Sequence, residues 1–415
     1  MSKNKILMLS DHALSTSGVG TQSRFLIQGL IAKEKWSVRQ FGAALKHSDY
    51  ETVVVNEDFI IKPIDGFGDP DLLRVALATE RPDALFLFTD PRFFIWLFEM
   101  EDEVHQVCPI VWWHVWDNGP YPEFNDSIYQ ATDLLNCHSH MTYELIKDRH
   151  PGKVNFIPHA VPEEIYFELP ESEKRDIRRQ VLGPGYDDHF VGVWINRNAK
   201  RKRPSDLLEA WKLFLDKLES EHGHRKGCLI MHTDPLDNEG PNLYAAAEML
   251  GVNENVWFST DRLEFEKINA LYNISDFCIN VSLAEGFGLG TLEAMMSGTP
   301  IIAPMTGGLT RQAVDHRDGS HNGVAMPIEF KTLVGSQGVP YIYEDYVSSE
   351  TISNAMYKLF SMDNSERKEL SKKVKEYAKT QFSIQSTIDQ WDETLTECVE
   401  NFKKGKYQPW TCEEL

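Results

Sequence analysis

The chain predicts an α/β protein built from two Rossmann-like, doubly wound domains. Three observations predict it. A length of 415 residues exceeds what one ordinary hydrophobic core organises. Short apolar runs recur without polar alternation, as strands buried on both faces of a parallel sheet require. Helical patterns fill the intervals between them, so each pair of runs reads as a strand–helix–strand unit.

The first set of predicted strands is Ile6–Leu9, Ala84–Phe88, Ile110–Trp113, Leu134–Asn136 and Val154–Ile157. The second is Val191–Ile195, Cys228–Met231, Val256–Phe258, Phe277–Val281 and Ile301–Ala303. Between the sets, Glu163 to His189 is charged and carries Pro170, Gly183, Pro184 and Gly185, which reads as a linker with one helix. The domains are accordingly placed at residues 1–165 and 190–380. Residues 381–415 contain a closing helix, with Ile384, Ile388, Trp391, Leu395, Val399 and Phe402 at helical spacing.

Composition narrows the function. Hydrophobic residues at 42% and charged residues at 25% are those of a folded globular protein. A net charge of −21 opposes broad binding to nucleic acid or anionic membranes. No run approaches the roughly 18 apolar residues of a membrane span, and Met1–Ser10 reads as a buried strand rather than a secretion signal. The aromatic run Phe93–Phe98 reads as a core helix. The cysteines (Cys108, Cys137, Cys228, Cys278, Cys398 and Cys412) lack paired metal spacing and fit buried, reduced thiols, so a cytoplasmic location is expected. Asp69-Pro70-Asp71 has the form of a metal-binding Asp-x-Asp, but its place before Leu72-Leu73 predicts a helix cap. No metal or cofactor is expected.

The most informative run is Glu285-Gly286-Phe287-Gly288-Leu289-Gly290-Thr291-Leu292-Glu293-Ala294-Met295, directly after a predicted strand. Its glycines permit a tight strand-to-helix turn and close approach of a ligand to backbone. The helix that follows points free N–H groups at the loop, an arrangement suited to a diphosphate. Glu285 and Glu293 bracket the turn, placing one carboxylate for sugar hydroxyls and the other for ribose hydroxyls.

From Glu285 to Ala303 the pattern Glu-Gly-Phe-Gly-Leu-x-x-Leu-Glu-Ala-Met-x-x-Gly-x-Pro-Ile-Ile-Ala resembles the signature of glycosyltransferase family 4. The resemblance implies the GT-B fold, with two domains facing across a cleft and the last helix crossing back to the first domain. It implies a retaining transferase that moves a sugar from a nucleotide-diphosphate donor, UDP-linked by the family's habit, to a hydroxyl acceptor. The acceptor class stays open among glycans, lipid-linked sugars, proteins and hydroxylated nucleobases in DNA. Two rivals stand beside transfer: a catalytically silent binder of nucleotide sugars or glycans, and a sugar-nucleotide epimerase.

The resemblance also assigns residues. Gly18 and Gly20, in Gly18-Val19-Gly20-Thr21, approach the donor phosphates. Arg197 and Lys202 offset charge on the leaving diphosphate, with Arg201 or Arg203 able to share that role. Gly286, Phe287, Gly288 and Leu289 line the donor, Glu293 takes the ribose, and Glu285 orients the sugar. His114, at a strand's carboxyl end, reaches the transferred sugar. The loop with Trp116, Asp117 and Tyr121 borders the acceptor, where its aromatic residues, Phe124 included, either stack on substrate or pack on one another. The chain departs from the pattern at Gln312, where an acid is frequent, and in an expanded stretch from Asp315 to Tyr346.

Overall fold

The structure, a computed structural model, describes residues 3–45 and 50–405. Cys412 lies outside them. The chain divides into two compact units. The first comprises Met1–Ala160, Gly335–Ile342 and Ile384–Leu415, and the second Val161–Val334 and Tyr343–Ser383.

The first unit holds an eight-stranded sheet. Its strands are β1 (Asn4–Asp11), β2 (Trp36–Ala43), β3 (Val53–Asn56), β4 (Phe59–Pro63), β5 (Ala84–Thr89), β6 (Ile110–His114), β7 (Leu134–Cys137) and β8 (Val154–Phe156). Their order is β3-β4-β2-β1-β5-β6-β7-β8, parallel throughout except for β3 against β4. Apolar residues on both sides of the central strands explain why. In β1, Leu7 and Leu9 enter one core, while Ile6 and Met8 enter the core on the opposite face. The helix Ile384–Lys403 completes that second core with Trp391, Leu395, Cys398 and Val399, and Trp391 packs on Phe86 and Trp113.

The second unit holds β9 (Phe190–Ile195), β10 (Gly227–His232), β11 (Val256–Ser259), β12 (Phe277–Ile279), β13 (Ile301–Pro304) and β14 (Gly323–Met326). They run parallel in the order β11-β10-β9-β12-β13-β14. Again a single strand feeds two cores: Val191 and Val193 of β9 face one way, Phe190 and Trp194 the other.

Several expectations are adjusted. The segment predicted as a linker from Glu163 belongs to the second unit, because Tyr166 is buried in its core and Leu169 donates its N–H to Asn273 at 2.7 Å. Strand β2 escaped prediction because Ser37, Arg39 and Gln40 break its apolar run. Gln40 is nonetheless buried, its amide nitrogen donating to Ser10 Oγ at 2.6 Å and to the Asp11 carbonyl at 2.9 Å. The expanded stretch supplies β14 and a two-stranded ribbon, β15 (Phe330–Val334) with β16 (Ile342–Tyr346). The Phe93–Phe98 run is only partly core: Phe94 and Leu97 are buried, whereas Phe93 is 40% and Ile95 50% exposed. Asp69 does cap the helix Pro70–Glu80, accepting from the Leu72 N–H at 3.0 Å. Cys108, Cys137, Cys228, Cys278 and Cys398 are free and buried. Among the described residues, no helix is long and apolar enough to cross a membrane, and no group of three His, Cys, Asp or Glu side chains is placed to hold a metal.

Candidate functional site

In a doubly wound sheet, ligands bind beyond the carboxyl ends of the strands where the strand order reverses. In the second unit that point lies between β9 and β12. The loop after β9 carries Lys202 and the loop after β12 carries Glu285, and their side chains meet there in an ion pair buried on both sides, 8% and 13% exposed.

Further hydrogen bonds hold the two loops together beside the pair. Leu283 donates its N–H to the Arg201 carbonyl at 2.9 Å, and Arg201 returns a guanidinium hydrogen bond to the Ala284 carbonyl at 3.4 Å. Glu285 Oε2 also accepts from Ser282 Oγ at 3.0 Å. Burial alone raises a carboxyl pKa, but the charges of Lys202 and Arg201 and the hydrogen bonds of Lys202 and Ser282 outweigh it and hold Glu285 at about 2. Glu285 is therefore ionised at neutral pH although it is almost enclosed.

The turn beyond Glu285 depends on two glycines. Gly288 has φ +90° and its missing side chain leaves room for Leu309, so the turn needs a residue at ease in the left-handed region. Gly308 has no space for a Cβ: one would lie 2.4 Å from the Gly286 carbonyl oxygen. Gly308 uses that proximity to donate its N–H to the Glu285 carbonyl at 2.9 Å. Gly286 and Phe287 are buried and Leu289 is half-buried. The helix Leu289–Met296 starts directly after Gly288, so its first N–H groups have no partner within the helix.

Gln312 explains its departure from the family pattern. It is wholly buried, donating to the Phe287 and Gly288 carbonyls at 2.7 and 3.2 Å and accepting from Thr291 Oγ1 at 2.6 Å. A carboxylate has no hydrogen to offer those carbonyls. Glu293 is in the second turn of the helix. Tyr272 donates to its Oε2 at 2.8 Å, and burial raises its pKa against the hydrogen bonds of Tyr272 and Tyr166. The two glutamates thus stand in opposite electrostatic settings.

Other expected site residues are placed differently. Arg197 is exposed and forks to Asp237 with contacts of 2.7 and 3.1 Å, rather than joining the Lys202–Glu285 pair. Arg203 is held by Asp206 and the Val347 carbonyl. In the first unit, Gly18 and Gly20 open the helix Gly18–Ala32 after β1, at that sheet's own reversal point. The Gly20 N–H is already taken by Ser17 Oγ at 2.9 Å, and Ser17 in turn donates to Asp11 at 2.6 Å.

His114 ends β6 but turns into the core. Its ring is wholly buried, with Nε2 2.9 Å from the Tyr129 hydroxyl and Nδ1 without a partner among the described residues. Burial pushes its pKa well below the usual histidine range. A strand-end position alone did not decide the side chain's direction. Trp116 and Tyr121 are buried too: Trp116 donates to the Asn118 carbonyl at 2.6 Å, and Tyr121 bonds Asp126 and His150. Phe124 packs on Trp116 and on Tyr341. The aromatic loop is packed on itself, and Asp117 beside it is half-buried. Tyr272, Tyr166 and Ser282 escaped prediction, because each lies in an apolar or small-residue context that reads as core or turn.

Residues 189–331, which include Arg197, Lys202, Glu285 and Glu293, match the family described as glycosyl transferases group 1. Solved structures align over nearly the whole chain. A sucrose-phosphate synthase from Thermosynechococcus elongatus superposes with a TM-score of 0.72 at 15% identity, covering 95% of this chain and 99% of that one. Anabaena HepE in complex with UDP-glucose superposes with a TM-score of 0.65 at 15% identity, with the same coverage. The chain has the GT-B fold. Among curated relatives of this GT-B chain, a D-inositol 3-phosphate glycosyltransferase 2 of Catenulispora acidiphila is 25% identical over 53% of this chain and 52% of its own length. The chain spans between 30% and 52% of the lengths of four such relatives.

Proposed function

We propose that the chain is a retaining glycosyltransferase that moves a sugar from a nucleotide-diphosphate donor, a UDP-sugar first among them, to a hydroxyl acceptor. The observation that carries the reading is the ionised, nearly enclosed Glu285 beside Lys202 at the reversal point of the second sheet. A buried ion pair contributes little net stability compared with an apolar pair of the same volume, so its retention at a strand-reversal loop favours work on a ligand. The named partners point the same way: one relative is a glycosyltransferase, and HepE is described with UDP-glucose.

In this reading Lys202 turns from Glu285 to the donor diphosphate, joined by the N–H groups opening the helix Leu289–Met296. Arg197 exchanges Asp237 for phosphate oxygens. These charges stabilise the leaving diphosphate as the sugar–phosphate bond breaks, and they do so without a divalent metal. Glu285, released from Lys202, accepts hydrogen bonds from sugar hydroxyls and fixes the anomeric carbon. The acceptor hydroxyl attacks from the face the diphosphate leaves, and the departing phosphate oxygen takes its proton, so configuration is retained. Glu293 receives the ribose hydroxyls.

The test is transfer from a panel of nucleotide sugars to a panel of hydroxyl acceptors, with and without EDTA. Metal-free turnover with an α-linked product from an α-linked donor supports the reading. An inverted product, or activity that disappears with EDTA, removes it. Arg197→Ala is expected to lower kcat/KM about a hundredfold, the usual cost of one preorganised charge at a developing anion.

A further inference from the structure

Glu293 is chemically out of place unless something else comes to it. Its carboxylate is half-buried on the helix Leu289–Met296, and no cation pairs with it among the described residues. Its donors are phenols: Tyr272 Oη at 2.8 Å and Tyr166, which also hydrogen-bonds it. Both phenols are themselves enclosed. Tyr272 is wholly buried and Tyr166 is 2% exposed, their rings pack 6.4 Å apart, and both enter the apolar core with Leu292 and Cys278. The Tyr272 carbonyl is tied to Thr299 Oγ1 at 2.9 Å.

The Tyr272 hydroxyl is also next to the strand ends. A Cβ on Gly290 would lie 3.2 Å from Tyr272 Oη and 3.5 Å from the carbonyl oxygen of Ile195, the last residue of β9. Glycine at 290 therefore lets the first helical turn settle onto the phenol and the end of β9. A carboxylate offers about four lone-pair sites. Two phenols occupy two of them, and the remainder match in number and polarity the two hydroxyl donors of a ribose diol. A side chain that only filled the core would not need to be an acid, since an uncompensated carboxylate is costly to bury.

We propose that Tyr272 and Tyr166 are positioning residues that fix the Glu293 carboxylate for a ribose diol, and that this arrangement makes the site select ribonucleoside over 2′-deoxyribonucleoside diphosphates. The proposal rests on the nucleotide-donor reading above and adds the residues that set its sugar selectivity. Removing a phenol frees the carboxylate to rotate, so the ribose loses its fixed acceptor while diphosphate contacts remain.

The experiment is calorimetry of the full chain with UDP, ADP and GDP, each beside its 2′-deoxy counterpart, for the unaltered chain, Tyr272→Phe, Tyr166→Phe and Glu293→Gln. For whichever nucleotide binds, the ribo form is expected to bind about tenfold more tightly than the deoxy form, the worth of one hydrogen bond to a charged group. Tyr272→Phe and Tyr166→Phe should each bring that ratio toward one while leaving deoxynucleotide affinity unchanged. A ratio that stays at its original value in both variants overturns the proposal, as does an unaltered chain that binds both sugars equally. If Tyr272→Phe fails to fold, Tyr166→Phe decides by the same ratio. Failure of all three ribonucleotides to bind the unaltered chain is a different result: it removes the nucleotide-donor reading, and this inference with it.

Discussion

The Lys202 ammonium and the Glu285 carboxylate, 83 residues apart in sequence, form a buried ion pair that ties the loop after β9 to the loop after β12. Removing one partner leaves an uncompensated charge, which typically costs about 3–5 kcal/mol. Lys202→Met is therefore expected to lower folding stability by about 3 kcal/mol in urea titration. The double change Lys202→Met with Glu285→Gln should recover much of that loss, yet remain inactive. Additive losses in the double variant would mean that the two groups are not coupled.

The two glutamates should respond differently to the same change. Glu285→Gln is expected to lower turnover strongly with nucleoside-diphosphate affinity nearly intact, because the sugar is its partner. Glu293→Gln should weaken the nucleotide itself by about 1.5–3 kcal/mol, the value of a charge-assisted hydrogen bond. Calorimetry beside steady-state kinetics separates the two, and the reverse pattern would exchange their roles.

Acid should act through Glu293 before Glu285. Burial raises the Glu293 carboxyl above its ordinary range of about 4.5 while Tyr272, Tyr166 and the Cys278 thiol are the titratable groups that face it. Glu285 is held at about 2. Nucleotide affinity that depends on an ionised Glu293 is complete above its raised pKa and is lost as pH falls through it. An acid limb above pH 4.5 is expected in the unaltered chain and should be missing from Glu293→Gln. The same limb in both would place the titration on the nucleotide phosphates.

Gln312→Glu keeps size and adds an acceptor where the Phe287 and Gly288 carbonyls need a donor. A buried, unmatched carboxylate predicts a loss of about 2–4 kcal/mol, visible as a fall in Tm. An unchanged Tm would show that the loop does not depend on this amide.

The first unit should be acid-sensitive. Burial depresses the pKa of both His114 and His159 well below 6.5, and His138 stacks on His159 at 4.6 Å while bonding the His114 carbonyl at 2.7 Å. Below pH 6.5 the unfolded chain binds protons that the folded chain refuses, so stability is full above that pH and falls as pH drops. Each such histidine contributes a slope of about 1.4 kcal/mol per pH unit. Chemical denaturation between pH 7 and pH 5 should follow that slope, shallower in His159→Gln. Stability independent of pH over this range would contradict the burial of these rings.

The sequence by itself determined the two doubly wound sheets, because a central strand buried on both faces carries a continuous apolar run, as Ile6–Leu9, Ala84–Phe88, Ile110–Trp113 and Val191–Ile195 do. It determined the glycine turn before Leu289 and the Asp69 cap as well, since both are local requirements of backbone geometry. The tertiary structure decided where side chains point and what they meet. His114, at a strand end, and Tyr121, in the loop beyond it, have the residue types of site groups, but their partners come from Tyr129 and His150 and both side chains are buried. Tyr272 has the spacing of a core residue, and only the packing of its helix against Leu289–Met296 brings its hydroxyl to Glu293. Chain periodicity encodes which residues are buried. Which polar atoms face each other is set by contacts between distant segments, and no local pattern records those.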